Sequence, residues 1–94
     1  MLTPRQLWAA RALVGWSRED LAAASKVPVV TIGEFETFKT DPRLTTVHKL
    51  RRALEKAGVR FIDADDDGGP GVRLKEAEDL PDKPARRRSR AAKG

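Results

Sequence analysis

The chain has 94 residues, a formal net charge of +5 and no cysteine. A chain of this length predicts one small domain, and without cysteine it has neither a disulfide framework nor a thiolate metal site. Because it also has a single histidine and scattered carboxylates, we predict no catalytic residue, no metal site and no cofactor. No apolar run approaches the roughly 20 residues of a membrane helix, which predicts a soluble protein without a membrane partner.

The charge is unevenly divided along the chain. Residues 1–62 hold eleven basic and six acidic residues, residues 63–82 hold two and eight, and residues 83–94 hold six and none. A basic block, an acidic connector and a basic tail suggest a polyanionic partner, with the acidic segment as an internal competitor. Acidic turns and basic tails that only keep a small protein in solution explain the same pattern equally well.

Three short helices are predicted in the first forty residues. Thr3 is a good N-cap, and apolar residues at helical spacing predict a first helix over residues 4–14. A second helix is predicted over about residues 18–25, and Pro28 fits the first turn of a third over about residues 28–37. Two short helices with a break of three or four residues form a helix-turn-helix. Its second helix can enter the DNA major groove, which is about 12 Å wide.

A fourth helix, a hairpin and a tail are predicted in the rest of the chain. An apolar stripe through Leu50 and Leu54 predicts a helix that ends at Gly58. Two short segments rich in β-branched residues then flank a turn of aspartate and glycine, which predicts a hairpin. We therefore divide the chain into three parts. Residues 1–62 are predicted to form a helix-turn-helix domain that runs into the first strand, and residues 63–75 the acidic turn and the second strand. Residues 76–94 are predicted to form a disordered tail that is basic from residue 83.

The segment TPRQLWAARALVGWSREDLAAASKVPVVTIGEFE resembles the DNA-binding domain of the phage-repressor family, the Xre or Cro-like regulators. The residues at the family's spacing are Leu21, Ala22, Val27, Thr31, Ile32 and Glu36. The segment ALEKAGVRFIDADDDGGPGVRLK resembles a bacterial subgroup in which a GVxFI strand and a GPGVRL strand follow the fourth helix. Over about residues 3–75 the resemblance implies a mainly α fold, a four-helix lambda-repressor-like DNA-binding domain with a short C-terminal β-hairpin.

The resemblance also implies roles for two groups of residues. The base-reading positions correspond to Val29, Val30, Gly33 and Glu34. The candidates for DNA phosphate contacts are Arg18, Thr31, Lys39, Thr40 and Arg43. The valines can contact the thymine methyl group and Glu34 can accept from the cytosine amino group, but the first three base-reading residues have no hydrogen-bonding side chain. We therefore expect modest specificity, with affinity supplied mainly by phosphate contacts.

Three further patterns have simpler interpretations. Lys26 and Phe38 replace glycines that are usual in the family, so each is expected to carry about 1 kcal/mol of backbone strain. The DADDDG stretch opens like a calcium loop, but Leu74 stands where the bidentate glutamate is needed, which favours a charged hairpin turn. His48 has no second ligand at a suitable spacing and is interpreted as a surface or packing residue.

Two functional hypotheses follow from these patterns. The first is a small homodimeric repressor that binds double-stranded DNA at a pseudo-palindromic operator in the bacterial cytoplasm, on the nucleoid. A two-stranded hairpin is marginal alone in water, so it must pack on the helices or pair with a second copy. In a dimer, the second copy would supply a partner surface for its apolar residues: Val59, Phe61, Ile62, Val72 and Leu74. The alternative is a protein-interaction module, antitoxin-like or an adaptor, that binds a protein partner through Val29 and Val30. A nonspecific DNA-associated protein that uses the basic tail is a third, weaker hypothesis.

Overall fold

The computed structural model describes residues 2–76, so the predicted tail lies outside the described residues except for Glu76. The elements are α1 (Pro4–Val14), α2 (Arg18–Ser25), α3 (Val29–Glu36), α4 (Leu44–Lys56), β1 (Val59–Ile62) and β2 (Gly71–Leu74). This order confirms the mainly α, four-helix fold with a short hairpin. None of these helices is long and apolar enough to cross a membrane.

The first two helices begin at capping boxes. The Thr3 hydroxyl accepts from the Gln6 amide at 3.0 Å, and the Gln6 side-chain oxygen accepts from the Thr3 amide at 2.9 Å. Ser17 and Asp20 make the same reciprocal pair at the start of α2, at 3.0 and 2.9 Å. Each box satisfies amides that have no partner inside the helix, which is why the local sequence defines both helix starts.

Helix α3 is one residue shorter at each end than the sequence predicted. Pro28 lies outside the helix as its N-cap, with ψ at 143°, because extended backbone there leaves Val29 as the first residue with helical geometry. The C-cap is Thr37, and no side chain caps the N-terminus. The predicted position of Pro28 inside the first turn was therefore wrong, although its missing N–H is harmless in either place.

The two non-glycine residues at the ends of α2 and α3 do adopt left-handed backbone. Lys26 has a φ of 65° and Phe38 a φ of 62°. The Lys26 amide donates to the Ala22 carbonyl at 2.9 Å, and the Phe38 amide donates to the Phe35 carbonyl at 3.1 Å. The turn geometry is thus kept without glycine, at the steric cost that a Cβ brings to this conformation.

One hydrophobic core lies between the helices and the hairpin. Its buried members are Leu2, Leu7, Ala10, Leu21, Val27, Ile32, Phe35, Val47, Leu50, Ala53, Leu54, Val59 and Phe61. Every helix and the first strand contribute to it, and Trp16 and Val72 pack against it while partly exposed. Burial of this set supplies the main stabilisation of the fold.

The hairpin belongs to this core, which is one of the two packing arrangements predicted for it. Strands β1 and β2 pair antiparallel, with Val59 opposite Leu74 and Phe61 opposite Val72. Val59 and Phe61 are buried by the chain's own helices, whereas Ile62 is 37% exposed. The hairpin therefore packs on the helices, and its apolar residues do not by themselves require a second copy of the chain.

A buried glutamine fixes the hairpin to α1. The Gln6 side-chain nitrogen donates to the Ile62 carbonyl at 3.2 Å and to the Gly71 carbonyl at 3.0 Å. These carbonyls belong to the last residue of β1 and the first of β2, and Gln6 itself is only 3% exposed. The Gln6 side chain thus caps the start of α1 and also binds the two residues that flank the hairpin loop.

The acidic loop between the strands is a turn closed by its own side chain. Asp65 and Gly68 form a β-bridge, and the Asp65 carboxylate accepts from the amides of Asp67 at 2.8 Å and Gly68 at 3.2 Å. Aspartate is favoured in turns because its side chain can accept hydrogen bonds from backbone amides two residues further on. Among residues 2–76 no group of three potential metal ligands comes together.

Candidate DNA-binding surface

The connection between α2 and α3 sets the position of α3. Lys26 reverses the chain at the end of α2, and the next residue, Val27, is buried in the core. The Val27 amide donates to the Ser25 hydroxyl at 3.2 Å, which satisfies this buried group inside the turn. Leu21 of α2 and Ile32 of α3 are both fully buried, so the two helices share one apolar contact layer.

Helix α3 has an inner and an outer face. Ile32 and Phe35 point into the core, with exposures of 0% and 5%. Val30 lies on the outer face and is 66% exposed, and Glu34 is exposed beside it. Val29 and Gly33 are half-buried at the edge of this face.

The predicted site residues divide into those that lie together and those that do not. A shallow depression on the outer face of α3 is lined by Arg18, Glu19, Val29, Val30, Gly33, Glu34, Thr37 and Lys39. We call it the α3 depression. It brings all four predicted base-reading residues together with Arg18 and Lys39, two of the predicted phosphate-contacting residues.

The other three predicted phosphate contacts lie outside the α3 depression. Thr31 is half-buried on α3. Thr40 is exposed and lines a separate groove that also contains Phe38 and Pro42. Arg43 is exposed at the N-cap position of α4 and makes no side-chain cap. None of these three residues lines the α3 depression.

An ion-pair network around the buried Glu36 carboxylate joins α1, α2 and α3. The Glu36 carboxylate accepts from Arg11 through Nε and Nη2, both at 2.8 Å, and from Arg18 Nε at 3.0 Å. The Glu36 side chain is 3% exposed, that of Arg11 13% and that of Arg18 42%. The Arg11–Glu36 contact has the two-bond geometry that makes arginine–carboxylate pairs strong.

Sequence reasoning missed this network. Glu36 was noted only for its position in the family pattern, and Arg11 was not noted as a functional or structural residue. The two are 25 residues apart, so no helical charge spacing relates them. The available signal was an acidic residue at the end of α3, where the helix dipole disfavours a negative charge unless a cation compensates it.

Arg18 lies across the surface of α3 at Gly33. A Cβ on Gly33 would lie 3.3 Å from Arg18 Nη1 and 3.7 Å from Cζ. The guanidinium therefore occupies the space beside a residue without a side chain. The α3 depression presents an apolar contact from Val30, an acceptor on Glu34 and cationic donors on Arg18 and Lys39.

These features define a class of protein. A helix whose apolar side is buried by a preceding short helix, and whose outer side is free and flanked by cations, is the arrangement of a helix-turn-helix DNA-binding domain. A family model described as helix-turn-helix matches residues 9–58, more than half of the chain. The chain belongs to the Xre/Cro-like helix-turn-helix family of DNA-binding regulators. No curated protein matches it.

The matched segment has a clear limit within the fold. It begins inside α1 and stops at Gly58, before β1. The family membership therefore rests on the helices. The resemblance of the hairpin to one bacterial subgroup remains a prediction.

Proposed function

We propose that the chain is a sequence-selective transcriptional regulator that binds double-stranded DNA as a homodimer, with the outer face of α3 in the major groove. The observation that carries the proposal is the α3 depression, where the base-reading candidates lie beside Arg18 and Lys39. In helix-turn-helix proteins the N-terminal residues of the second helix contact base edges. Val29 and Val30 are the first two residues of α3.

The chemistry of this face suggests what it contacts. The exposed methyl groups of Val30 suit the C5-methyl of thymine, and Glu34 suits a cytosine amino group. Lys39, Thr40 and Arg43 lie exposed after α3 and are available for phosphates. Such contacts supply affinity and fix the position on the duplex without carrying sequence information.

A homodimer would give the specificity that one short helix lacks. Two copies place two recognition helices about 34–36 Å apart, one helical turn of DNA, and this spacing produces a pseudo-palindromic site. Exposed apolar side chains outside the α3 depression are available for the contact between copies, including Trp8 at 63% and Phe38 at 64% exposure. Sedimentation velocity of the 94-residue chain tests this part of the proposal directly, and a monomer both free and on DNA would contradict it.

Selection of binding sites from a pool of random duplexes tests the function. The expected result is a pseudo-palindrome whose half-sites are separated by about 10–10.5 base pairs. Recovery of no preferred sequence, with binding that only falls steeply as salt rises, would contradict specific regulation and favour nonspecific association. The predicted basic tail from residue 83 lies outside the described residues, and a chain ending at residue 82 measures its share of the salt-dependent affinity.

A second candidate function is recognition of a protein partner. It is favoured by the 66% exposure of Val30, an apolar side chain on the outer face of α3. The double variant Val29→Asp, Val30→Asp separates the two candidates. Loss of DNA affinity with an unchanged thermal unfolding transition supports DNA recognition. Unchanged DNA affinity together with loss of a bound protein supports the interaction module.

A further inference from the structure

The outer face of α3 includes the guanidinium of Arg18, a hydrogen-bonding group supplied by α2. Arg18 is the first residue of α2, yet its guanidinium lies beside Gly33 in the middle of α3. It lines the same α3 depression as Val29, Val30 and Glu34. A base edge that approaches α3 would therefore meet the guanidinium in the place where a side chain of residue 33 would otherwise stand.

Gly33 has no conformational reason to be glycine. It lies inside a regular helix and its φ is not positive, so any residue could adopt its backbone geometry. Glycine is disfavoured relative to alanine at such a position. The space beside it is taken by Arg18 Nη1, which would lie 3.3 Å from an added Cβ, closer than ordinary van der Waals contact. A side chain at residue 33 would therefore require the guanidinium to move by a few tenths of an ångström.

Glu36 fixes which edge of the guanidinium is free. It accepts from Arg18 Nε at 3.0 Å, and in residues 2–76 neither Nη1 nor Nη2 of Arg18 has a hydrogen-bond partner. Glu36 cannot easily turn away, because Arg11 holds both of its oxygens at 2.8 Å. The outer edge of Arg18, with two parallel N–H donors, is thus oriented before any ligand binds.

This edge suits the O6 and N7 acceptors of guanine, the commonest target of arginine in the major groove. A phosphate group also offers two acceptor oxygens to an arginine. Whether Arg18 binds guanine or phosphate therefore depends on where its guanidinium lies. The guanidinium lies along the surface of α3 instead of extending from the start of α2. Glu36 also offsets part of the positive charge that attracts phosphates, while it leaves the direction of the hydrogen bonds unchanged.

We propose that Arg18 reads a guanine in the major groove through Nη1 and Nη2, and that Glu36 and Gly33 position it for this contact. Arg18 is then the main specificity-determining residue beside the four predicted base-reading positions, three of which have no hydrogen-bonding side chain: Val29, Val30 and Gly33. This inference rests on the proposed function, because it requires α3 to lie in the major groove.

Site selection with the 94-residue chain and with Arg18→Ala is the first test. The native chain is expected to recover one guanine at a fixed position in each half-site, and Arg18→Ala is expected to lose the preference at that position alone. On the selected duplex, Arg18→Ala should bind about 5- to 150-fold more weakly, the range expected for one bidentate base contact. The variant should fold, because Arg11 still compensates Glu36 and the Arg18 side chain is 42% exposed.

A modified duplex tests whether binding depends on one atom of the guanine base. Replacing the selected guanine by 7-deazaguanine removes the N7 acceptor and leaves the phosphates unchanged. The native chain should lose several-fold in affinity, and Arg18→Ala should bind the two duplexes equally. Two results together would overturn the proposal: the native chain binds both duplexes equally, and Arg18→Ala weakens binding to all duplexes uniformly while lowering the salt slope by about one. They would mean that Arg18 binds only phosphate.

Two more variants complete the test. Gly33→Ala introduces a better helix former into α3 and requires the guanidinium to move by a few tenths of an ångström, so it should reduce the guanine preference without lowering thermal stability. Arg52→Ala removes an exposed arginine from α4, outside the α3 depression, and should leave the guanine preference intact. A native chain that selects no sequence at all contradicts the proposed function. A native chain that selects a sequence with no guanine dependent on Arg18 contradicts only this inference.

Discussion

Replacing Glu36 by glutamine should strongly destabilise the fold. The substitution keeps the shape of the side chain and removes the charge that compensates Arg11 and Arg18. Arg11 is only 13% exposed and Glu36 3%, so a largely buried guanidinium would lose its counter-charge. Breaking a buried ion pair by removing one partner typically costs about 3–5 kcal/mol. Against a total stability of roughly 5–15 kcal/mol, a loss of this size is a large fraction.

Urea unfolding followed by tryptophan fluorescence measures the effect. Trp16 is partly buried against the core, so its emission reports loss of the packed state. The midpoint should fall while the dependence of the unfolding free energy on urea stays the same, because the same surface is exposed on unfolding.

The chain supplies a matched control in Glu55→Gln. Arg51 and Glu55 form an ion pair at 3.1 Å within α4, but their side chains are 30% and 38% exposed. An exposed pair at this helical spacing contributes about 0.3–0.5 kcal/mol. If Glu36→Gln and Glu55→Gln lower the free energy of unfolding by similar amounts, burial does not strengthen the Glu36 ion pair and the reasoning is refuted.

Three further predictions concern the hairpin, the turn after α3 and DNA affinity. Gln6→Ala should cost about 2–3 kcal/mol, because it leaves the carbonyls of Ile62 and Gly71 without their donor, and hydrogen exchange should quicken first in the hairpin. An unchanged hairpin exchange pattern would contradict this. Phe38→Gly should raise stability by about 0.5–1 kcal/mol in calorimetry, since it relieves left-handed strain at a small entropic cost, and a lower melting temperature would show that the exposed ring makes a stabilising contact. Lys39→Ala should weaken binding to all duplexes alike and lower the salt slope by about one, whereas a change in base preference would contradict a phosphate role.

The sequence predicted the helices well because their signals are local. Thr3 and Ser17 cap helices within three residues, and the apolar spacing identifies which side of each helix is buried. The fold class follows from the order of such elements. The start of α3 could not be predicted to the residue, because Pro28 is compatible both with the first turn and with the N-cap position, and only the backbone geometry distinguishes them.

The contacts that organise the candidate site could not be predicted in the same way. Glu36 joins residues 18 and 25 positions away, and Gln6 reaches 56 and 65 positions along the chain. Such pairings depend on how the elements pack, and no spacing within one helix specifies them. The four base-reading candidates came from the family pattern, and their contacts with DNA remain predictions. The role proposed for Arg18 required the structure, because its side chain crosses to another helix.

The two hydrogen bonds from Gln6 to the residues that flank the hairpin loop have a consequence for the design of shorter fragments of this protein. The segment matched by the family model, residues 9–58, contains the whole helix-turn-helix but neither Gln6 nor the strands. Four of the thirteen buried core residues of the described chain lie outside it: Leu2, Leu7, Val59 and Phe61. A fragment cut at the family boundary would keep every residue that is predicted to contact DNA and leave the opposite side of α1 and α4 open to water. The smallest unit that folds should therefore begin before Thr3 and extend through β2.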